Sequence, residues 1–330
     1  MPKKISINFE VNAEESGKRI DVIVSKRHPE FSRMQIKKFI ELDFLSIDNQ
    51  TISKVSEKAS IGSKINLSGL IDTEVEDLPE DIEIEIKKQT KDFIVINKAP
   101  GIVVHPGSGN RSGTILNSLL FNFPELADLP RAGIIHRLDK DTSGLMVIAR
   151  NEKAYKHLSD QISSRTVKRG YDLIVIGKTL RAGTLDFPIG RHRTVRTKQS
   201  VTEKGKEAIT KFKVLEFLGF YTYIRAYLET GRTHQIRVHF SHIKHPLVGD
   251  KTYGTSQRFA KNTSDDLKDF LIKFPRQALH ARELSFLDPS TNETVNFESE
   301  IPKDFQSLLD RLKTNENLTY RVLVSQFESF

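Results

Sequence analysis

Apolar residues recur along this chain with two different periods. Between residues 18 and 45 the spacing is helical: KRIDVIVSKRH places Ile20, Ile23 and Val24 on one face. After Ser32, a candidate cap, RMQIKKFIEL supplies Met34, Ile36, Phe39, Ile40 and Leu42, with Arg33, Lys37 and Lys38 outside the apolar stripe. FLSIDNQTISKVSEKASIGSKINLSG then alternates around Asp48-Asn49 and Ile61-Gly62, which predicts short strands joined by tight turns. Acidic residues crowd LIDTEVEDLPED, so residues 71–81 read as a solvated linker between a small α/β module at 1–70 and a main domain at 82–330. In the main domain IEIEIKK, FIVINK, LMVIAR, YDLIVIGK, TKFKVLEF, YTYIRAYLE and ALHARELSFL predict strands. TILNSLLFNF, EKAYKHLSDQI, THQIRVHFSHI, SDDLKDFLIKF and PKDFQSLLDRL predict helices. Strands often adjoin without an intervening helix, so the fold class is α+β with a mixed, largely antiparallel sheet.

Composition narrows the chemistry. The 330 residues include no cysteine, which removes disulfides, thiolate metal sites and cysteine nucleophiles. No run approaches the roughly 18 apolar residues of a membrane span, and MPKKISINFE lacks the apolar core of a signal peptide, so no membrane partner and a cytoplasmic location are expected. Fifty-one Lys and Arg against 43 Asp and Glu give a net charge of +8, which suits a polyanionic partner or plain solubility. Placement favours the former: the basic side of the 33–41 segment, and RHRTVRTKQ (191–199), an otherwise structureless stretch that brings Arg193 and Arg196 together with Arg191 and Lys198.

RAGIIHRLDKDTSGLMVIAR (131–150) carries the most chemical promise, with Asp139 between charged neighbours ahead of a glycine-led strand. As a calcium loop it fails at its twelfth position, where Arg150 stands in place of a bidentate Glu. As an aspartyl-phosphate motif it would need an apolar strand end, but His136 and Arg137 intervene. In GRTHQIRVHFSHI, Thr233 is placed to cap a helix burying Ile236, Phe240 and Ile243, while His234, Arg237 and Ser241 share a second face. The histidines at 234, 239, 242 and 245 diverge on such a helix, so no metal is expected. HPGSGNRSGT lacks the GK[ST] of a triphosphate loop.

HRLDKDTSGLMVIAR resembles the signature of the RluA/RluD family of RNA pseudouridine synthases, most closely its RluD branch. VINKAPGIVVHPGSGN, KRGYDLIVIGK, LETGRTHQIRVHFSHIKHPLVGDKTYG and RQALHARELSF follow in that family's order, and GKRIDVIVSKRHPEFSRMQIKKFIELDFLSID is similar to the S4 RNA-binding domain. The resemblance implies a pseudouridine synthase fold and isomerisation of specific uridines in large-subunit (23S) ribosomal RNA or a pre-ribosomal particle, by a monomer without cofactor. It implies Asp139 as nucleophile or base, Tyr171 against the uracil, and Arg237 as partner of the aspartate. Arg137 would enter the RNA stack, and Leu138 and Ile236 would line the base pocket. His136, Arg33, Lys37, Lys38, Arg193 and Arg196 would contact RNA. A transfer-RNA substrate, or a noncatalytic RNA-binding or ribosome-assembly role, are the alternatives.

Overall fold

The computed structural model describes residues 3–29, 31, 33–71, 78–107, 110–195, 197–254, 259–260 and 263–314. The chain folds as two compact units, Met1–Glu76 and Asp77–Phe330. The candidate cap Ser32, the phosphate candidate Arg196, residues 72–77 of the acidic stretch and the tail beyond 314 lie outside the described residues.

In the first unit strand β1 (Lys3–Glu10), helices α1 (Ile20–Arg27) and α2 (Arg33–Glu41), and strands β2 (Leu45–Ile47), β3 (Gln50–Thr51) and β4 (Lys64–Ile71) form an antiparallel sheet of order β1-β4-β2-β3 beside two helices. Asp48 and Asn49, at φ 50° and 67°, make the β2–β3 turn that the sequence promised. Ile20, Ile23 and Val24 meet Ile36, Phe39 and Ile40 in one core over Leu45, Ile65 and Leu67. Leu42, read as part of the apolar stripe, instead ends exposed past the helix. Strand β1 is an addition: KKISINFE alternates, but its opening lysines hid the strand.

The second unit runs β5 (Glu85–Gln89), β6 (Phe93–Lys98), α3 (Ile115–Asn122), β7 (Ser143–Ala149), α4 (Glu152–Ser163), β8 (Lys168–Ile176), β9 (Ala182–Asp186), β10 (Ile189–Arg191), β11 (Gln199–Val201), β12 (Ile209–Leu218), β13 (Tyr221–Leu228), α5 (Gln235–His242), α6 (Asp265–Lys273), β14 (Leu279–Leu287) and β15 (Thr294–Glu298), closing with α7 at 303–314. Among the described residues nine strands pair in the order β5-β6-β7-β14-β8-β13-β12-β9, with β15 also on β14. Of these only β7 and β14 run parallel, as expected of a mixed, largely antiparallel sheet.

FIVINK and LMVIAR read as continuous apolar runs because both faces of the sheet are covered. Ile94, Ile96, Met146 and Ile148 face the core under α3 and α5, while Phe93, Val95, Leu145 and Val147 face Leu158 of α4. At the start of the unit Asn117 donates to the Leu78 carbonyl at 2.8 Å and Gly113 donates to Glu80, so residues 78–81 are anchored here rather than free as a linker. The basic stretch 191–199 is also not structureless: Arg191 and Gln199 pair across the β10–β11 ribbon.

Candidate active site

The segment carrying Asp139 is forced into place from both ends. Arg131 and Ala132 both adopt left-handed backbone (φ 54° and 49°), a conformation that costs roughly 1–2 kcal/mol per non-glycine residue and must be offset by the packing of Ala132, Ile134 and Leu138 into the core. On the far side Gly144 has φ 118°, and a Cβ there would lie 2.2 Å from the Ala281 carbonyl oxygen. Only glycine lets β7 start so close to β14. Between these anchors the Thr142 amide donates to the Asp139 carbonyl at 3.1 Å, closing the turn that presents the carboxylate.

Arg237 of α5 reaches that carboxylate: Nη1 donates to Asp139 Oδ2 at 2.9 Å. Its other edge grips Asp250, with Nε at 2.7 Å from Oδ2 and Nη2 at 3.0 Å from Oδ1. Asp250 is fully buried and also accepts from the amides of Thr252 (2.9 Å) and Tyr253 (3.0 Å). Burial opposes the Arg237 charge, but Asp250 and then Asp139 raise its pKa above the ordinary arginine value. The helix is itself pinned, because Gln235 donates to Ile209 O and Thr210 Oγ1, and His239 bonds Thr210 Oγ1 and Phe187 O.

The helical face predicted for His234, Arg237 and Ser241 meets one residue, Tyr253. His234 Nδ1 lies 2.8 Å from its hydroxyl, Arg237 sits 5.1 Å from its ring centroid, and Ser241 donates to its carbonyl. Thr233 does not cap the helix; His234 occupies the N-cap with φ 57° and no side-chain cap. Its Nε2 stands 3.9 Å from Asp139 Oδ1. Burial lowers the His234 pKa, against the pull of Asp139, so the imidazole is neutral at physiological pH.

These groups open on a cleft of about 870 Å³ in the second unit, lined also by His136, Arg137, Leu138, Tyr171, Ile236 and Leu279. Tyr171 lies inside β8 rather than at its start, and its cross-strand neighbours are the small Ala226 and Ala281. Burial raises the pKa of its phenol, so it stays protonated across the physiological range. Arg137 is exposed at the rim. His136 accepts from the Val147 amide through Nε2 at 3.1 Å, which puts its proton on Nδ1; burial drives its pKa to about 3. Leu138 and Ile236 are core residues as well as cleft walls. Behind the turn, buried Lys98 donates to the carbonyls of Ala99 (2.8 Å), Ile102 (2.9 Å) and Lys140 (2.9 Å). Burial pushes it down to about 7, whereas Asp141 and Asp139 oppose that fall. Three acceptors call for all three protons, so the ammonium is the form that fits.

The structure thus gathers Asp139, Tyr171, Arg237, His136, Arg137, Leu138 and Ile236 around one cleft. Arg33, Lys37 and Lys38 belong to the first unit, and exposed Arg193 does not line the cleft. Asp250, Tyr253 and Lys98 were not foreseen. Their motifs, GDKTYG and VINKAPG, were visible, but nothing in the spacing says that Asp250 turns back onto Arg237.

Comparison with known proteins gives concordant results. Residues 92–242 match the family described as RNA pseudouridylate synthase. The chain is 42% identical over 315 residues to ribosomal large subunit pseudouridine synthase D of Haemophilus influenzae, covering 96% of this chain and 97% of that protein. The same span is 39% identical to the Escherichia coli protein of that name, again covering 96% and 97%. Among solved structures, human RNA pseudouridylate synthase domain containing 4 aligns with a TM-score of 0.55 at 27% identity, over 69% of this chain and 93% of that one. Human RNA pseudouridylate synthase domain containing 1 aligns at 0.53 and 26%, over 68% and 85%.

Proposed function

The chain belongs to the RNA pseudouridylate synthase family, enzymes that make pseudouridine in RNA, and from that premise we propose that it isomerises specific uridines of large-subunit ribosomal RNA in the cytoplasm, acting as a monomer. The observation that carries the site assignment is the chain Asp250–Arg237–Asp139, which fixes one carboxylate oxygen at the cleft wall. Oδ1 of Asp139 makes no hydrogen bond among the described residues and is the oxygen available to the sugar.

The N1–C1′ bond breaks with its electron pair leaving on the uracil. Asp139 either bonds to C1′ or takes the C2′ proton to give a glycal. The ring turns and C5 bonds to C1′ as the Asp139–C1′ bond breaks, or as Asp139 returns the C2′ proton to the glycal; the C5 proton is lost and N1 gains one, so the product is an isomer of the substrate. Tyr171 offers a ring to the base and a hydroxyl to the moving proton, while Leu138 and Ile236 give the ring an apolar seat. Arg137 at the rim is suited to replace the stacking lost when the nucleotide swings out.

The first unit holds the RNA in this reading, as an S4-like domain. Lys37 pairs with Glu41 at 3.3 Å across an exposed surface, a weak link that a phosphate can displace, and Lys38 is exposed beside it. Arg33 is held by Asp21 at 2.5 Å and so presents a fixed cation. Incubating the protein with an unmodified large-subunit RNA fragment and resolving the digested nucleosides tests the proposal. Wild type should form pseudouridine and Asp139→Asn none, with RNA affinity kept within a factor of about three. Turnover by Asp139→Asn would remove the assignment of that residue. Pseudouridine only in transfer RNA would move the substrate, and none in either RNA would leave a noncatalytic RNA-binding protein.

A further inference from the structure

Three arginines are buried among the described residues: Arg169, Arg237 and Arg276. Arg237 is paired with Asp250 and Asp139, and Arg276 with Asp304 and with backbone carbonyls. Arg169 differs. It is 7% exposed, its side chain forms no ion pair or hydrogen bond among the described residues, and its Nε is sealed from solvent without a partner. Burying an unpaired cation is among the costliest arrangements in a folded protein, and one that persists calls for a compensating charge.

Its position says where that charge arrives. Arg169 stands two residues before Tyr171 on β8, so strand alternation puts both on the side opposite Gly170, and both line the cleft that holds Asp139. At Gly231, on the same wall, a Cβ would lie 2.9 Å from Arg169 Nη1, so the bare backbone there leaves space for the guanidinium. The charge is felt locally: it pushes down the His136 imidazole and works against the rise of the Tyr171 phenol.

We propose that Arg169 is a further catalytic residue, whose guanidinium hydrogen-bonds the exocyclic oxygens of the target uracil and takes up the negative charge released on it. This rests on the function proposed above. When N1–C1′ breaks, the bonding pair stays on the pyrimidine and spreads from N1 onto O2 and O4. The same pair returns to C1′ when C5 bonds, which leaves the ring neutral; the C5 proton then departs and N1 is protonated in its place. Both routes open to Asp139 pass through this anion, so Arg169 serves either. A guanidinium presents two parallel donors, which suits a ring that turns between bond breaking and bond making.

Steady-state kinetics on the full chain, with Arg169→Met, Arg169→Lys and wild type, tests this. Removing one donor from a developing oxyanion costs about 10²–10³ in kcat, so Arg169→Met should lose about that, with RNA affinity nearly unchanged and partial recovery in Arg169→Lys. Its Tm should hold or rise, because the substitution removes an unpaired buried charge. Unchanged kcat would overturn the proposal. So would weaker binding with wild-type kcat and a salt slope reduced by about one, the mark of a phosphate contact. A large drop in Tm would also overturn it, by making Arg169 a structural residue. Failure of wild type to form pseudouridine would instead strike the function beneath it.

Discussion

Asp250 lies one step behind the carboxylate of Asp139, and Asp250→Asn is the sharpest probe of whether that aspartate depends on how its arginine is held. The carboxylate accepts four hydrogen bonds, three at Oδ1 (Arg237 Nη2, Thr252 N, Tyr253 N) and one at Oδ2 from Arg237 Nε. An asparagine that keeps its oxygen at the three-bond site turns its NH₂ toward Arg237 Nε–H, where the oxygen now sits at 2.7 Å. Two donors then face each other, and the cation loses its fully buried counter-charge. Removing one partner of a buried pair costs about 3–5 kcal/mol, and Asp139 remains to offset part of it, so about 3 kcal/mol is the expected loss. In a unit of this size that lowers Tm by about 6–12 °C without unfolding the protein. A shift of about 1 Å in a positioned group costs on the order of 10² in rate. Pseudouridine formation should therefore fall about 100-fold in kcat, while RNA affinity, which does not involve this buried residue, stays at the wild-type value. Because Asp250 acts through Arg237, the double variant with Arg237→Lys should lose far less than the sum of the two single losses. Wild-type kcat in Asp250→Asn, or strict additivity in the cycle, would refute the reasoning.

Arg237→Lys alone keeps the charge but has no planar fork with which to hold Asp139 and Asp250 together, so kcat should drop at least about tenfold at unchanged RNA affinity; full activity would mean that charge alone suffices. His280 is buried between the hydroxyls of Ser143 (3.0 Å) and Ser299 (2.8 Å), and burial lowers its pKa to about 4. The unfolded chain therefore binds this proton first. Its stabilisation is complete above about pH 6.5 and is lost as pH falls to about 4, by up to about 3 kcal/mol. Melting temperatures between pH 7.5 and 4.5 should fall less steeply in His280→Gln than in wild type, and parallel curves would sink the assignment. Arg193→Ala should reduce the salt slope of RNA binding by about one without altering kcat; an unchanged slope would leave Arg193 a merely solvated charge.

What could be read from the sequence was what period and local chemistry encode. The helices of the first unit, the apolar strands β6 and β7, and the face shared by His234, Arg237 and Ser241 all follow from spacing, and the structure places them as expected. Strands β9, β10, β11 and β15 stayed hidden because each is five residues or fewer with few buried positions; β9 and β15 are ordered by β12 and β14 of the main sheet, and β10 and β11 by each other. His234 at the head of α5 was hidden for a different reason. Thr233 has the better capping side chain, but His234 is held in its left-handed turn by its tertiary contact with Tyr253, and the Arg232 amide ahead of it donates to the Gln235 side chain instead. Asp250 was invisible because a loop aspartate looks like a turn residue until the chain folds back onto Arg237.

The charges around the cleft give those hidden residues a common purpose. Asp139 and Asp250 bracket Arg237, which leaves that trio one negative charge in excess, and the Lys98 ammonium behind the turn offsets it. A balanced group of this kind holds the Asp139 carboxylate with its counter-charges already in place. Arg169 is then the one uncompensated buried cation among the described residues on the walls contributed by β8 and α5, beside the tyrosine rather than beside the aspartate. A site built only to hold Asp139 would gain nothing from it and would bear its desolvation. A site that must also accommodate a pyrimidine carrying a transient negative charge has a physical reason to leave that guanidinium unpaired.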